Sequence, residues 1–310
     1  MGRKIAFILG SMGRGGAERV ISIISRDYAE RGWDTDICLL LKNEVCYNLA
    51  DTTRILDLSG KGESRLRRAP YWLSSIRRYV KEEKPDVVVS FAARINVIVM
   101  LACLGTKTKI VLSERNDPKC DGRDPVTILL TRLLYPHSEG IVFQTARAKS
   151  CFGRKIQKKG VIIPNPIEVQ VCAKDTDIHK IVNVGSLKPQ KNHELLINAF
   201  SDLSDKYPHM QLYIYGEGQL RTRLEEHIKR LGMQDKIHLP GACSDVHDQI
   251  KNAAMFVLSS DYEGLSNALL EAMMMGLPCI STNCSSLPEI IDNFKQIMDA
   301  IYPDGWRSWQ

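Results

Sequence analysis

The 310-residue chain predicts an α/β protein made of two Rossmann-like, doubly wound domains that face each other across a cleft. Three observations carry that reading. Short apolar runs alternate with helical stripes along most of the length, a proline-containing link interrupts the alternation half-way, and the alternation then restarts. At roughly 150 residues per domain the length fits two such units. Charged residues make up 25% and the apolar set 44%, which excludes a disordered chain.

Residues 4–9, 37–41, 87–91, 109–112 and 140–143 are short, apolar on both faces and bounded by turn residues, the pattern of buried parallel strands. Between the first two, Ala17, Val20, Ile21, Ile24 and Tyr28 fall at offsets 0, 3, 4, 7 and 11 and form one helical stripe, which Gly32 ends. The link is Ile163-Pro164-Asn165-Pro166, whose prolines stiffen an extended connector before a polar stretch that reaches Asp177. It divides an amino-terminal domain, 1–168, from a carboxyl-terminal domain, 169–310. In the second, residues 182–185, 211–216, 237–240, 255–259 and 278–281 read as strands, and 192–201, 219–231, 246–253 and 267–275 as helices. In such sheets ligands bind at the carboxyl ends of the strands, so the loops there are where chemistry is expected.

Composition removes several function classes. The apolar run 5–9 is too short for a secretory h-region, and the longest apolar stretch, 95–104, contains Asn96 and is about half of a membrane span. Nine cysteines form no CxxC pair and their number is odd, which fits core packing in a reducing cytoplasm better than a disulfide framework or a zinc site. The net charge of +6 is uneven: residues 1–168 hold 29 Lys and Arg against 18 Asp and Glu, residues 169–310 hold 13 against 18. A basic half concentrates anionic partners such as phosphates or lipid headgroups, although a solvated surface has the same signature. Within it, residues 65–81 join five arginines and a lysine to Tyr71, Trp72, Leu73, Ile76, Tyr79 and Val80. Arg67, Arg68, Trp72, Arg77 and Arg78 are thus candidates for contact with an anionic membrane, the other reading being a helix that packs Leu73, Ile76 and Val80 on its sheet.

The first strand runs into Gly10, Gly13, Gly15 and Gly16 just before a helix, a loop whose backbone can approach a phosphate at the helix start. The spacing is not GxGxxG, and the second strand ends in Leu41-Lys42-Asn43 where a nicotinamide dinucleotide site wants an acidic residue. The second domain carries Asp261-Tyr262-Glu263-Gly264-Leu265-Ser266-Asn267, then Glu271, Gly276 and Pro278. Ser266 is the expected N-cap, Glu263 precedes the helix and Glu271 stands on its second turn. The amides of Leu265, Ser266 and Asn267 would point at an anion there, and two carboxylates beside it suit sugar hydroxyls, which need strong acceptors. Taken alone, two glutamates about a helix start are more often solvated surface.

Five stretches in order, Gly-Gly-Ala-Glu-Arg-Val at 15–20, Ile-Pro-Asn-Pro-Ile at 163–167, Asn-Val-Gly-Ser-Leu-Lys-Pro-Gln-Lys-Asn at 183–192, Tyr-Gly-Glu-Gly at 215–218 and the Glu263 to Glu271 block, together resemble family 4 glycosyltransferases over residues 1–284. The resemblance implies the GT-B fold and a retaining transferase that moves a hexose from a nucleotide-sugar, UDP-linked by expectation, to a lipid-linked saccharide in polysaccharide or glycan assembly. It implies no cofactor and no metal; Asp34 and Asp36 start a strand rather than ending one and make no DxD site.

By the same resemblance Glu263 lies near the transferred sugar, Glu271 holds the ribose and Lys191 neutralises the donor diphosphate. Gly15 and Gly16 match the loop that closes on phosphates or acceptor, and Gly216 and Gly218 the turn near the base. Ser186 stands where relatives carry an arginine, with Lys188 or Arg115 as substitutes. Many relatives have a histidine near position 115; the guanidinium of Arg115 stays protonated and cannot act as a base, so it is expected to bind an anion such as an acceptor diphosphate, a purely structural role for 113–118 being the alternative.

After Cys284 relatives continue with a further strand and helices, whereas residues 285–310 read as one helix over 287–301 and a tail with Trp306 and Trp309, so the second domain is expected to be shortened. The expected partners are the donor, a polyprenyl-diphosphate-linked acceptor and an anionic membrane surface, without nucleic acid, and the expected place is the cytoplasm, at the inner face of the cell membrane. A catalytically weak nucleotide-sugar-binding or partner-binding protein derived from a truncated transferase is the alternative.

Overall fold

A computed structural model describes residues 2–13, 15–60, 65–166, 176–243 and 245–292, and the backbone alone at 65–67. The chain separates into two compact units, Met1–Pro166 and Ile167–Gln310. The first runs β1 (Lys4–Leu9), α1 (Gly16–Glu30), β2 (Asp34–Leu39), β3 (Arg54–Asp57), α2 (Arg65–Glu83), β4 (Val87–Phe91), α3 (Ala93–Ala102), β5 (Lys109–Glu114), α4 (Pro125–Leu134), β6 (Gly140–Phe143), α5 (Ala146–Ser150), α6 (Arg154–Lys159) and β7 (Gly160–Ile162). Its seven strands are all parallel, in the order β3-β2-β1-β4-β5-β6-β7. The order reverses between β1 and β4, the switch point at which loops part and leave room for a ligand.

Strand alternation makes this a three-layer unit. Ile5, Phe7 and Leu9 pack with Ile21 of α1 on one face, while Ala6 and Ile8 pack with Trp72, Ile76 and Val80 of α2 and Val97 and Met100 of α3 on the other. The stripe read from α1 therefore faces the sheet, with Val20 and Ile21 buried. At the amino ends of the strands, buried Asp36 receives two bonds from Arg54, at 3.0 and 2.8 Å, and one from the Tyr79 hydroxyl at 2.6 Å. Lys4 and Glu83 complete that cluster. Burial works against the Asp36 charge, but the Arg54 and Tyr79 hydrogen bonds hold its carboxyl below the ordinary range.

The second unit runs β8 (Asp177–Val184), α7 (His193–Leu203), β9 (Gln211–Tyr215), α8 (Arg221–Arg230), β10 (Ile237–Gly241), α9 (Val246–Ile250), β11 (Ala253–Leu258), α10 (Asn267–Met274) and β12 (Cys279–Ser281), with helix resuming at 287–292. Its parallel order is β10-β9-β8-β11-β12. The switch point here lies between β8 and β11.

Several expectations need correction. Trp72 is a core residue, 6% exposed, and its indole N–H donates to the Ser59 carbonyl at 3.2 Å. Arg77 spends Nη1 on the carbonyls of Ala102 and Leu104 that end α3, at 2.9 and 2.8 Å. Trp72 and Arg77 are thus taken up by the fold; Tyr71 and Arg78 are exposed, Arg68 is half-buried, and the Arg67 side chain lies outside the described residues. The cysteines are less uniformly core than expected: among the described ones Cys38 and Cys103 are buried, Cys46 and Cys120 are exposed and four are half-buried, all as free thiols. Of the helix expected over 287–301, residues 293–301 lie outside the described residues, as do Trp306 and Trp309.

Candidate functional site

In the second unit the loops after β8 and β11 flank the switch point and are stitched together by hydrogen bonds. The Asp261 amide donates to the Gln190 carbonyl at 2.9 Å, Gln190 Nε2 to the Tyr262 carbonyl at 2.9 Å and Asn192 Nδ2 to Asp261 Oδ1 at 2.7 Å. Asn192 takes a left-handed conformation, φ 44°, which its short polar side chain tolerates, and caps α7 through the Leu195 amide. The loop after β9 presses on the loop after β8 so closely that a Cβ on Gly216 would stand 1.9 Å from the Gly185 carbonyl oxygen, and one on Gly218 2.4 Å from that of Leu187. Only glycine fits at either position.

This scaffold brings Lys191 and Glu263 together. Lys191 Nζ lies 2.5 Å from Glu263 Oε1, which also accepts from Ser260 Oγ at 2.6 Å. The Ser259 hydroxyl holds the Lys191 carbonyl at 2.9 Å, and the lysine methylenes run past Gly185. Glu263 is 5% exposed, so the solvated-surface reading of this glutamate is wrong. A buried carboxylate needs a partner, and Lys191 is it.

Ser266 caps α10 by accepting from the Leu269 amide, and Leu265 packs on the core beside it. Glu271, one turn further on, is also 5% exposed and is met by His247 from α9, Nε2 to Oε2 at 2.8 Å. Ser186 is half-buried and Lys188 exposed. Ser260, His247 and His193 escaped the sequence reading. His193, the first residue of α7, is 1% exposed with neither ring nitrogen partnered; burial, reinforced by the Lys191 charge, pushes its imidazole down to about 4. Its position directly after Asn192 was the available signal.

In the first unit the glycine loop after β1 and the segment after β5 lie at the same edge of the sheet. Gly15 precedes α1, its carbonyl held by the Tyr47 hydroxyl at 3.0 Å, and a Cβ there would lie 2.2 Å from the Glu18 carboxylate, which curls over the helix start. Gly16 is the first helical residue. Glu114 at the end of β5 is fully buried, bonded by the Tyr135 hydroxyl and by Arg123 Nη2 at 2.8 Å, so the residue that follows is rigidly placed. That residue, Arg115, lies over the Phe91 ring at 5.0 Å and keeps Nε and Nη2 buried without a hydrogen-bond partner. Burial lowers its guanidinium to about 10, with Glu18 opposing the shift, so it remains a cation at neutral pH. Its Nη1 donates to Ser113 Oγ at 3.5 Å, which leaves the two buried nitrogens as donors that a ligand can satisfy.

Residues 14–171 match Glycosyltransferase Family 4, and residues 166–302 match Glycosyl transferases group 1. The chain belongs to glycosyltransferase family 4. A glycosyltransferase of Methanocaldococcus jannaschii is 31% identical over 257 residues, 74% of this chain, which spans 63% of that relative's length. The N-acetylgalactosamine-N,N'-diacetylbacillosaminyl-diphospho-undecaprenol 4-alpha-N-acetylgalactosaminyltransferase of Campylobacter jejuni is 27% identical, over 92% of this chain and 82% of its own. HepE of Anabaena, solved with UDP and glucose, superposes with a TM-score of 0.74 at 16% identity, covering 93% of this chain and 82% of that one. That likeness is one of fold, and with it the transferase has the GT-B fold. No described helix of the transferase is long and apolar enough to cross a membrane, and among the described residues no three His, Cys, Asp or Glu gather as metal ligands would.

Proposed function

We propose that this transferase is a retaining hexosyltransferase that takes its sugar from a nucleotide donor, UDP-linked, and passes it to a polyprenyl-diphosphate-linked saccharide. The observation that carries the reading is the Lys191–Glu263 pair at the switch point of the second unit, its carboxylate buried just before α10, on whose second turn Glu271 stands. Lys191 is the cation for the donor diphosphate, Glu263 the acceptor for a hydroxyl of the sugar and Glu271 the acceptor for the ribose. The amides of Leu265, Ser266 and Asn267 add donors at a helix start, and Gly216 and Gly218 keep side chains out of the base region. Ser186 and Lys188 line the approach to the phosphates. Binding a diphosphate draws Lys191 toward it and leaves Glu263 bonded by Ser260, ready to accept from sugar.

Transfer then proceeds on one face. The acceptor oxygen bonds to the anomeric carbon as the carbon–oxygen bond to the leaving phosphate breaks, and the hydroxyl proton passes to that phosphate oxygen. The negative charge that develops on the leaving nucleotide is met by Lys191. Arg115 and the Gly15–Gly16 loop supply the anion contacts of the first unit, for an acceptor diphosphate.

The apolar part of the proposed membrane contact comes from α4 rather than from Trp72. On α4, Val126, Leu129 and Leu133 recur at helical spacing and are 63, 55 and 57% exposed, with Arg132 beside them. Arg68 and Arg78 of α2 add charge toward an anionic surface at the inner face of the membrane.

A donor screen by thermal shift tests the reading, because a ligand that binds only the folded chain raises its melting temperature. One nucleoside diphosphate or its sugar should stabilise the protein, and the shift should shrink most in Glu271→Ala; no shift across UDP-, GDP- and ADP-linked donors contradicts the proposal. The second reading, a nucleotide-sugar binder with weak chemistry, is favoured by Ser186 in place of a cation, and predicts stabilisation without turnover.

A further inference from the structure

The geometry points to His247 as a positioning residue that sets how Glu271 meets the ribose of the nucleotide, and so as a determinant of ribose-hydroxyl recognition in this chain. The inference rests on the proposed donor site. It starts from a burial problem. Glu271 projects from α10 between buried Leu269 and Ala272, and its side chain retains 7% of its exposure. A carboxylate there must be hydrogen-bonded, and when ionised it can only accept. His247 Nε2 at 2.8 Å is therefore the donor, carrying its hydrogen toward Oε2.

The donor is itself fixed. His247 is the second residue of α9, whose Val246 and Ile250 pack into the same core cluster as Leu269 and Ala272 of α10. The His247 carbonyl accepts from the Lys251 amide at 2.9 Å, and Glu271 accepts from the Met275 amide through its own carbonyl at 2.9 Å. Two helices that share one core thus hold the imidazole and the carboxylate at hydrogen-bond distance. The ring keeps 30% of its exposure and the carboxylate 7%, so the pair lies at the edge of the core. With Oε2 engaged by His247, the plane of the carboxylate is set before the nucleotide arrives. A ribose hydroxyl meets an acceptor already oriented, without the loss of side-chain freedom that a mobile glutamate would add on binding.

Removing the imidazole takes a fixed donor from the carboxylate, and the contact to ribose loses its geometry while the phosphate contacts at Lys191 persist. The effect should fall on nucleotide affinity and on discrimination at the ribose, and should spare turnover. A glutamine at 247 can place an amide N–H near the position of Nε2 and should restore much of the effect; an alanine cannot.

The test is calorimetry on the full chain with whichever of UDP, GDP or ADP binds the wild type most tightly, together with its 2′-deoxy and 3′-deoxy forms. Wild type should lose roughly tenfold or more in affinity for one deoxy form, about what one hydrogen bond to a charged acceptor is worth. His247→Ala should weaken the parent nucleotide by roughly tenfold and shrink the deoxy penalty to about twofold; His247→Gln should return both to within about threefold of wild type. An unchanged deoxy penalty in His247→Ala overturns the inference, whatever happens to its melting temperature, because a merely structural histidine would lower stability without altering the ratio. Glu271→Ala separates the two failures. If it abolishes the deoxy penalty and His247→Ala does not, His247 alone has been misread. If neither changes it, or no nucleotide binds, the donor site is wrongly placed and this inference falls with it.

Discussion

In the proposed donor site Lys191 and Glu271 should fail in different ways. The Lys191 charge gains importance as the nucleotide departs, so Lys191→Ala should lower kcat by roughly two to three orders of magnitude. In the proposed role Glu271 meets ribose hydroxyls that do not change during transfer, so Glu271→Ala should chiefly raise the donor KM. Steady-state kinetics on the two variants check both expectations. His193 makes a different demand on the fold. Its imidazole, 1% exposed, is held down at about 4, against about 6.5 in an unfolded chain, so between those values the unfolded state binds the proton and the folded state does not. Stability contributed by the neutral ring is full above about pH 6.5 and is lost as pH falls toward 4, at up to about 1.4 kcal/mol per pH unit. Urea titrations from pH 7 to 4 should show a shallower decline for His193→Gln than for the wild type; parallel slopes would mean that the ring protonates without penalty.

At the scale of elements, the Asp36 cluster ties β1, β2, β3 and α2 together at the end of the sheet away from the glycine loop. Asp36→Asn keeps the shape and removes the charge that Arg54 and Lys4 face. Because Arg54 stays in contact with water at 45% exposure, the loss should be about 2 to 3 kcal/mol rather than the full cost of breaking a sealed pair. Chemical denaturation should register that loss, with nucleotide affinity unchanged. Much of the element order was legible in the sequence. The strands at 4–9, 87–91 and 140–143 stand where their apolar runs put them. Strand β2 starts earlier than its apolar run because Thr35 and Asp36 are buried through hydrogen bonds, which periodicity does not register. Strands β3 and β7 escaped notice because they are short edge strands whose residues are largely exposed. The placement of Glu263 before a helix and Glu271 within it followed from Ser266 as the cap. His247 could not be read, since its partner is 24 residues away on another helix and no spacing rule joins them. The stripe of α2 was ambiguous for a physical reason: Trp72 is apolar enough for a membrane or a core, and only the Ser59 carbonyl beside its N–H decides.

For the whole molecule, the excess of 29 basic over 18 acidic residues in 1–168 and the exposed row on α4 belong together. Flotation with vesicles of anionic lipid should carry the wild type upward and leave most of a Val126→Ser, Leu129→Ser, Leu133→Ser variant behind, with little change in melting temperature because these side chains are already in water. Equal flotation of the two would remove α4 from the membrane surface. In the proposed reaction the switch point of the second unit holds a nucleotide-sugar whose diphosphate departs against Lys191. The most direct measurement is nucleoside-diphosphate release from a panel of nucleotide-sugars in the presence of membrane lipid extract, wild type beside Lys191→Ala. The predicted result is release from one donor class, reduced by roughly two to three orders of magnitude in the variant; release from none, or equal release from both proteins, would contradict it.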